Sequence, residues 1–209
     1  MSELAIEVYS DYTCPWCYVG TARLDRLRER LDGDVRLDVT WHPFEIHPEV
    51  PADGMPAEAL GYPADQWERM VAHLRAQAEA EGLEVGHLTR VSNTHRALAA
   101  ATWARDERPD RFRAFHDALF RAYFGEGRDI GDPGVVRAVA AEAGLDPDVM
   151  DTALEAGDYD AVIRETGERA RRLGIRGTPT YVFDGRYGAV GAQPVEALEQ
   201  VARRALGPK

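Results

Sequence analysis

Lysine is all but missing from this chain: of 25 lysine and arginine side chains in 209 residues, Lys209 is the single lysine. Schiff-base and pyridoxal-phosphate chemistry need a lysine amine and a phosphate-binding P-loop carries one, so those enzyme classes are excluded. A local excess of positive charge is missing too. The formal charge is -11 at pH 7 with no basic cluster to offset it, which argues against nucleic acid or an anionic membrane as partner and leaves a solvated acidic surface. No apolar run approaches a transmembrane span, and Met1-Ser2-Glu3-Leu4 passes into a strand pattern without a basic and apolar leader. The expectation is a cytoplasmic protein.

Cysteine occurs only twice, as Cys14 and Cys17. A closed zinc site needs four Cys or His ligands at short spacing, and His42, His47, His73, His87, His95 and His116 are scattered, so no metal is expected. A structural disulfide across one helical turn would close a very small loop and stabilise little. In the cytosol, where thiols are kept reduced, a Cys-x-x-Cys pair is more often catalytic or redox-sensing than structural.

What is present is organised around that pair. The alternating run Ala5-Ile6-Glu7-Val8-Tyr9 precedes it and the amphipathic run Ala22 to Leu31 follows, so the cysteines sit where a strand turns into a helix. Thr13 reads as the N-cap and Pro15 falls in the first turn, where its missing N–H costs nothing. Cys14 then lies at the positive end of the helix dipole, which favours thiolate and makes it the accessible nucleophile. Cys17, one turn deeper, is the resolving thiol.

The chain is 44% hydrophobic and long enough for one elaborated domain or a domain with a large insertion. Asp32-Gly33-Asp34 is a turn signal, and Val35, Leu37, Val39 and Trp41 alternate as a half-buried strand should. The prolines of His42-Pro43-Phe44-Glu45-Ile46-His47-Pro48 take the chain off the sheet, and Pro51 to Pro63 reads as an irregular exposed crossing. Helical patterns follow over Ala64 to Glu81, with Trp67, Met70, Val71 and Leu74 on one stripe, over Asn93 to Arg105, and over Arg111 to Phe124. Asp132-Pro133 and Asp146-Pro147 each open a helix, and another runs from Asp158 or Tyr159 to Leu173. Thr180 to Phe183, Asp184-Gly185 and Tyr187 to Val190 form a hairpin, and a helix from Pro194 to Leu206 ends the pattern. The sequence leaves the isomer of Thr178-Pro179, just before the hairpin, open.

This order of a strand, a Cys-Pro-x-Cys helix, a strand, a helical insertion, then Gly177-Thr178-Pro179 before a hairpin and a helix, resembles an α/β thioredoxin fold interrupted by an all-α insertion, the DsbA-like plan. More closely, Ser10-Asp11-Tyr12-Thr13-Cys14-Pro15-Trp16-Cys17, Asn93-Thr94, Ala122-Tyr123-Phe124 and Gly191-Ala192-Gln193-Pro194 are similar to the FrnE-type branch of that family. The resemblance implies thioredoxin-domain parts at 1–50 and 177–209 around a helical insertion at 51–176. It implies a thiol:disulfide oxidoreductase acting through Cys14 and Cys17, on protein or small-molecule thiols and disulfides; monomer and homodimer both stay open. It needs no cofactor beyond the redox pair, with glutathione a candidate reductant or co-substrate. It further implies that Pro179 is cis, packs beside the thiols and keeps a metal from them, while Thr178 offers its backbone to an extended substrate. Pro15 and Asp11 support the pair.

Two departures stand out: Leu98 follows Ala97 where many relatives have histidine, and two cysteines cannot relay electrons between two internal sites. Kappa-class glutathione transferases and 2-hydroxychromene-2-carboxylate isomerases share the plan but place serine where Cys14 stands, and a binding protein with vestigial cysteines is a third reading. The segment from Ala64 to Leu173 is expected to form a lid over the site. Trp16 is expected to face the groove beneath that lid and to bind substrate there with Thr178 and Pro179, packing in the core being the alternative.

Overall fold

The computed structural model describes residues 2–31, 33–61 and 63–207. Met1, Asp32 of the expected turn and Lys209 lie outside them. Strand β1 (Ser2–Ser10) is central: it pairs in parallel with β2 (Val35–Pro43), with Val8 opposite Trp41, and antiparallel with β5 (Thr180–Phe183), with Val8 opposite Tyr181. Strand β6 (Tyr187–Val190) completes the order β2-β1-β5-β6. A parallel β1–β2 pair requires a crossover, supplied by α1 (Pro15–Leu31), while β5 and β6 need only a tight turn. That turn is Asp184-Gly185 with φ of 51° and 64°, the left-handed pair that lets the three-residue loop between Phe183 and Tyr187 follow the strand twist.

One face of the sheet carries Leu4, Ile6, Val8, Tyr181 and Phe183, which pack against Leu24, Leu27 and Leu31 of α1 and Leu198 and Ala202 of α8 (Val195–Leu206). Between β2 and β5 the chain forms α2 (Ala64–Ala80), α3 (His95–Glu107), α4 (Pro109–Phe120), α5 (Pro133–Glu142), α6 (Pro147–Glu155) and α7 (Asp158–Arg172). Their core includes Leu98, Trp103, Phe115, Leu119, Val136 and Val139, and the first turns of α1 belong to it as well: Cys14, Cys17, Tyr18 and Val19 lie in this cluster. Helix α1 is thus shared, its N-terminal end buried by helices and its C-terminal end by the sheet. Asp132 and Asp146 cap α5 and α6 as the Asp-Pro signals predict, each side chain accepting from two backbone N–H groups.

Several expectations change. Strand β2 continues through Pro43, opposite Ser10, instead of ending at His42, because β2 is an edge strand where a missing donor costs little. The crossing from Pro51 to Pro63 contains a short strand β3 (Met55–Pro56), paired with β4 (Arg90–Val91), and a 3-10 turn at Ala57–Leu60. The helix expected to Phe124 ends at Phe120 and widens into a π turn over Arg121–Gly125. Helix α1 begins at Pro15, so Cys14 and not Thr13 stands at the N-cap; the Thr13 hydroxyl is held by Asp11 instead.

Candidate active site

The turn between β1 and α1 is set by Asp11. Its Oδ1 accepts from Thr13 N at 2.9 Å and Thr13 Oγ1 at 3.1 Å, and its Oδ2 from Ile46 N at 2.7 Å and Thr94 Oγ1 at 3.2 Å. Burial pushes this carboxyl up and the four donors pull it back. One side chain therefore ties the cysteine turn to the segment after β2 and to the start of α3.

With the turn fixed, Cys14 occupies the last position before the helix and its carbonyl accepts from Cys17 N at 3.0 Å. Cys14 and Cys17 are free thiols, only 2% and 1% exposed. The expected exposure of Cys14 is therefore absent: it lies in one buried cluster with Tyr12, Tyr18 and Val19, and Thr178 stands against its sulfur. Its thiol is nevertheless held below the ordinary range, first by a hydrogen bond from the Cys17 thiol, against the cost of burial, with Thr178 and the Cys17 backbone helping. Burial pushes Cys17 well up, and its neighbour Cys14 adds to that, while Ser10 and the Asp11 backbone oppose it.

Thr178 and Pro179, 164 residues along the chain, meet this pair. The Thr178–Pro179 bond is cis, and the Cys14 thiol donates to Thr178 O at 3.3 Å. The Thr178 hydroxyl is buried without a hydrogen-bond partner. Gly191 of the Gly-Ala-Gln-Pro motif, at φ 80°, donates its N–H to Pro179 O at 2.7 Å, and Ala192 O accepts from the buried Arg23 at 2.5 Å. The other motifs converge on the same place. Asn93 donates to Val50 O at 2.7 Å, Thr94 to Asp11, and Tyr123 to Arg90 O at 2.9 Å.

Cys14, Pro15, Trp16 and Thr178 form one side of a cleft of about 160 Å³, roofed by Trp67, Met70, Val71 and Leu74 of α2, with Ile46, Leu88 and Phe124 between them. Trp16 is half-buried here, its ring 5.4 Å from that of His73 on α2. The stripe on α2 is thus mostly cleft lining and not closed core: Leu74 is fully buried, whereas Trp67, Met70 and Val71 are partly exposed. The periodicity that marks a helix face is the same whether the face meets core or cleft, which is why sequence reasoning missed these residues. Among the described residues no group of three His, Cys, Asp or Glu side chains could hold a metal ion, and no helix is long and apolar enough to cross a membrane.

A mixed sheet with a Cys-x-x-Cys helix, a facing cis-proline turn and intervening helices defines a thioredoxin-fold protein of the disulfide oxidoreductase class. The family model for the DSBA-like thioredoxin domain matches residues 5–202, and the chain belongs to that family. It is similar to the crystal structure of the probable DsbA oxidoreductase SCO1869 from Streptomyces coelicolor, with TM-score 0.88 and 30% identity over 99% of this chain and 91% of that one. It is 28% identical to the uncharacterized protein YwbO of Bacillus subtilis (strain 168) over 179 residues, 85% of this chain and 86% of that protein. It also shares its fold with a 2-hydroxychromene-2-carboxylate isomerase, at TM-score 0.76 and 17% identity over 97% of this chain and 96% of that one.

Proposed function

We propose that this protein is a cytoplasmic thiol:disulfide oxidoreductase of the FrnE type in which Cys14 is the nucleophile and Cys17 the resolving thiol. The observation that carries the reading is the Cys14 sulfur at the start of α1, beside Thr178 O at 3.3 Å and with the Cys17 thiol hydrogen bonded to it. The Cys14 thiolate attacks one sulfur of a substrate disulfide R–S–S–R′, forming Cys14–S–S–R and releasing R′S⁻. Cys17 loses its proton and attacks the Cys14 sulfur, forming the Cys14–Cys17 disulfide and releasing RS⁻. A thiol such as glutathione runs the sequence backwards and restores the dithiol. Residues 1–50 and 177–209 are assigned to the thioredoxin part and 51–176 to the insertion that roofs the site.

The apolar cleft next to Cys14 favours a thiol or disulfide with an apolar group beside its sulfur, seated against Trp16 and the α2 side chains, with the Thr178 backbone alongside. The enclosed cleft also supports a second reading, a glutathione-dependent isomerase or transferase acting on a small apolar molecule. One experiment separates them. Reduced protein is mixed with an aromatic disulfide and, separately, with glutathione and an electrophile. Mixed disulfide trapped in Cys17→Ser and lost in Cys14→Ser is the expected result. Turnover of the electrophile that survives both substitutions, with no disulfide exchange, would overturn the first reading.

A further inference from the structure

Three parts of the molecule meet around Cys14: the helix α1 that it opens, the roof helix α2 and the turn that carries Pro179. One side chain bonds to both of the others from α1. Arg23, less than two turns beyond Cys17, is 8% exposed. Its Nη2 donates to Gln77 Oε1 at 2.5 Å, in the last turn of α2, and its Nε to Glu81 Oε1 at 2.8 Å, just past the end of that helix. Its Nη1 donates to Ala192 O at 2.5 Å. Ala192 follows Gly191, whose N–H is bonded to Pro179 O, and packs against the cluster that contains Cys14 and Cys17. The planar fork of a guanidinium makes all three bonds in fixed directions, and the Glu81 carboxylate offsets the cost of burying its charge.

What this holds is a lever. Among the described residues of α2 only Leu74 and Ala78 are buried, both in the half that Arg23 grips. Toward the other end Trp67 packs against the small cluster of Val50, Ala57 and Val91 and, with Met70 and Val71, lines the cleft. From Glu81 back to Trp67 is about 20 Å of chain at about 1.5 Å per helical residue, so a tilt of about 10° at the gripped end moves Trp67 by about 3.5 Å, the thickness of an aromatic ring. The cleft of about 160 Å³ has room for one ring, since a cavity of about 150 Å³ takes up a single benzene. A second fused ring needs the roof to move. No Asp, Glu, Lys or Arg is among the described residues that line the cleft, so a charged group would lie there without a partner.

We propose that Arg23 sets the width of the cleft beside Cys14 by holding α2 against the turn that supports Pro179, and so admits disulfides and thiols with one uncharged ring, or a branched chain of that size, beside the sulfur while excluding fused ring systems. This rests on the disulfide-exchange reading above. Arg23 does not line the cleft and is a positioning residue. It acts through Gln77 and Glu81 on the roof, and through Ala192 and Gly191 on Pro179.

The test labels Cys14 in the full-length reduced protein carrying Cys17→Ser, using N-methylmaleimide and N-pyrenylmaleimide, which share one reacting group and differ in size. Arg23→Met should raise the pyrenyl rate by about tenfold, the shift between closed and open cleft that loss of one hydrogen bond from a charged group brings, and leave the methyl rate within about twofold. Arg23→Met strands the Glu81 carboxylate in the interior, so Arg23→Met/Glu81→Met, which removes both charges, replaces it should the single variant not fold. Gln77→Met breaks one bond of the three and should shift the pyrenyl rate the same way by less. With both cysteines present, wild type should exchange faster with diphenyl disulfide than with dinaphthyl disulfide, and the Arg23 variants should lose that preference. An unchanged ratio of the two maleimide rates in the folded variants, or an equal acceleration of both by general loosening, would overturn the proposal. Failure of the exchange reading looks different: the maleimides would still be sorted by size, but wild type would exchange with neither disulfide.

Discussion

Tyr181 and Gly20 are fitted to one another: the Tyr181 hydroxyl fills the place where a β-carbon on residue 20 would stand, with Pro179 Cγ 3.1 Å from that point. Gly20 lies one helical turn beyond Cys17, so the contact sets how closely α1 approaches β5 and the proline turn. The hydroxyl has no hydrogen-bond partner. Gly20→Ala should cost about 1–3 kcal/mol by overpacking, and Tyr181→Phe, which removes an unpartnered buried hydroxyl, should be neutral or stabilising by about 1 kcal/mol. The two changes should compensate, so that the double variant regains most of the denaturant midpoint lost by Gly20→Ala. Additive losses would mean that the helix and strand do not meet through this hydroxyl.

The Cys14 thiol is lowered first of all by the hydrogen bond from Cys17, so the substitution chosen at position 17 should matter. Cys17→Ser retains a donor and Cys17→Ala removes it. Thiolate absorbance of Cys14 should therefore titrate at higher pH in Cys17→Ala than in Cys17→Ser. Because Cys14 is only 2% exposed, small alkylating agents should react with it much faster than bulky maleimides. Equal titration of the two variants would shift the credit to the helix terminus alone.

Asp11 joins three segments through four donors. Asp11→Ala would strand two backbone N–H groups in the interior and should lower stability by about 3 kcal/mol or more, at 1–3 kcal/mol for each unsatisfied group. Asp11→Asn keeps the shape but turns an amide N–H₂ toward a donor, and should cost about 1–3 kcal/mol. Both should speed amide exchange at Thr13 and Ile46 before the sheet opens. Protection unchanged at Ile46 would show that the link to the segment after β2 carries no stability.

Local chemistry was legible in the sequence wherever it was local in the structure. Asp184-Gly185 demands left-handed backbone, Asp132 and Asp146 cap the helices that follow them, and Cys14-Pro15-Trp16-Cys17 marks its own helix start. What could not be read depends on parts of the chain meeting at long range. Asp11 draws its oxygens' partners from residues 46 and 94 as well as from its neighbour Thr13, and once it holds the Thr13 hydroxyl the cap falls to Cys14. The burial of Cys14 likewise depends on parts distant in the chain, Thr178 among them, and the orphaned nitrogen of His116 appears only when three aromatic rings close around it.

His95 gives the fold a pH dependence whose sign can be stated. Its Nδ1 lies 2.8 Å from Glu45 Oε1 and its Nε2 3.0 Å from Asp160 Oδ1, so the imidazolium joins the segment after β2, the first turn of α3 and the first turn of α7. The hydrogen bond to Glu45 comes first among the causes that push its pKa up to about 9. A histidine raised in the folded state contributes its full stability below about 6.5, the unfolded value, and loses it as pH climbs from there through about 9. The side chain is 41% exposed, so solvent screens the pair and the contribution is about 1 kcal/mol or less. The unfolding midpoint of the wild type should fall between pH 6 and pH 10 relative to that of His95→Gln, and the gap should narrow in high salt. Direct titration of the His95 ring by NMR should give a midpoint near 9. A midpoint near 6.5, or a His95→Gln protein with the same pH profile as wild type, would show that the two carboxylates do not hold the imidazolium.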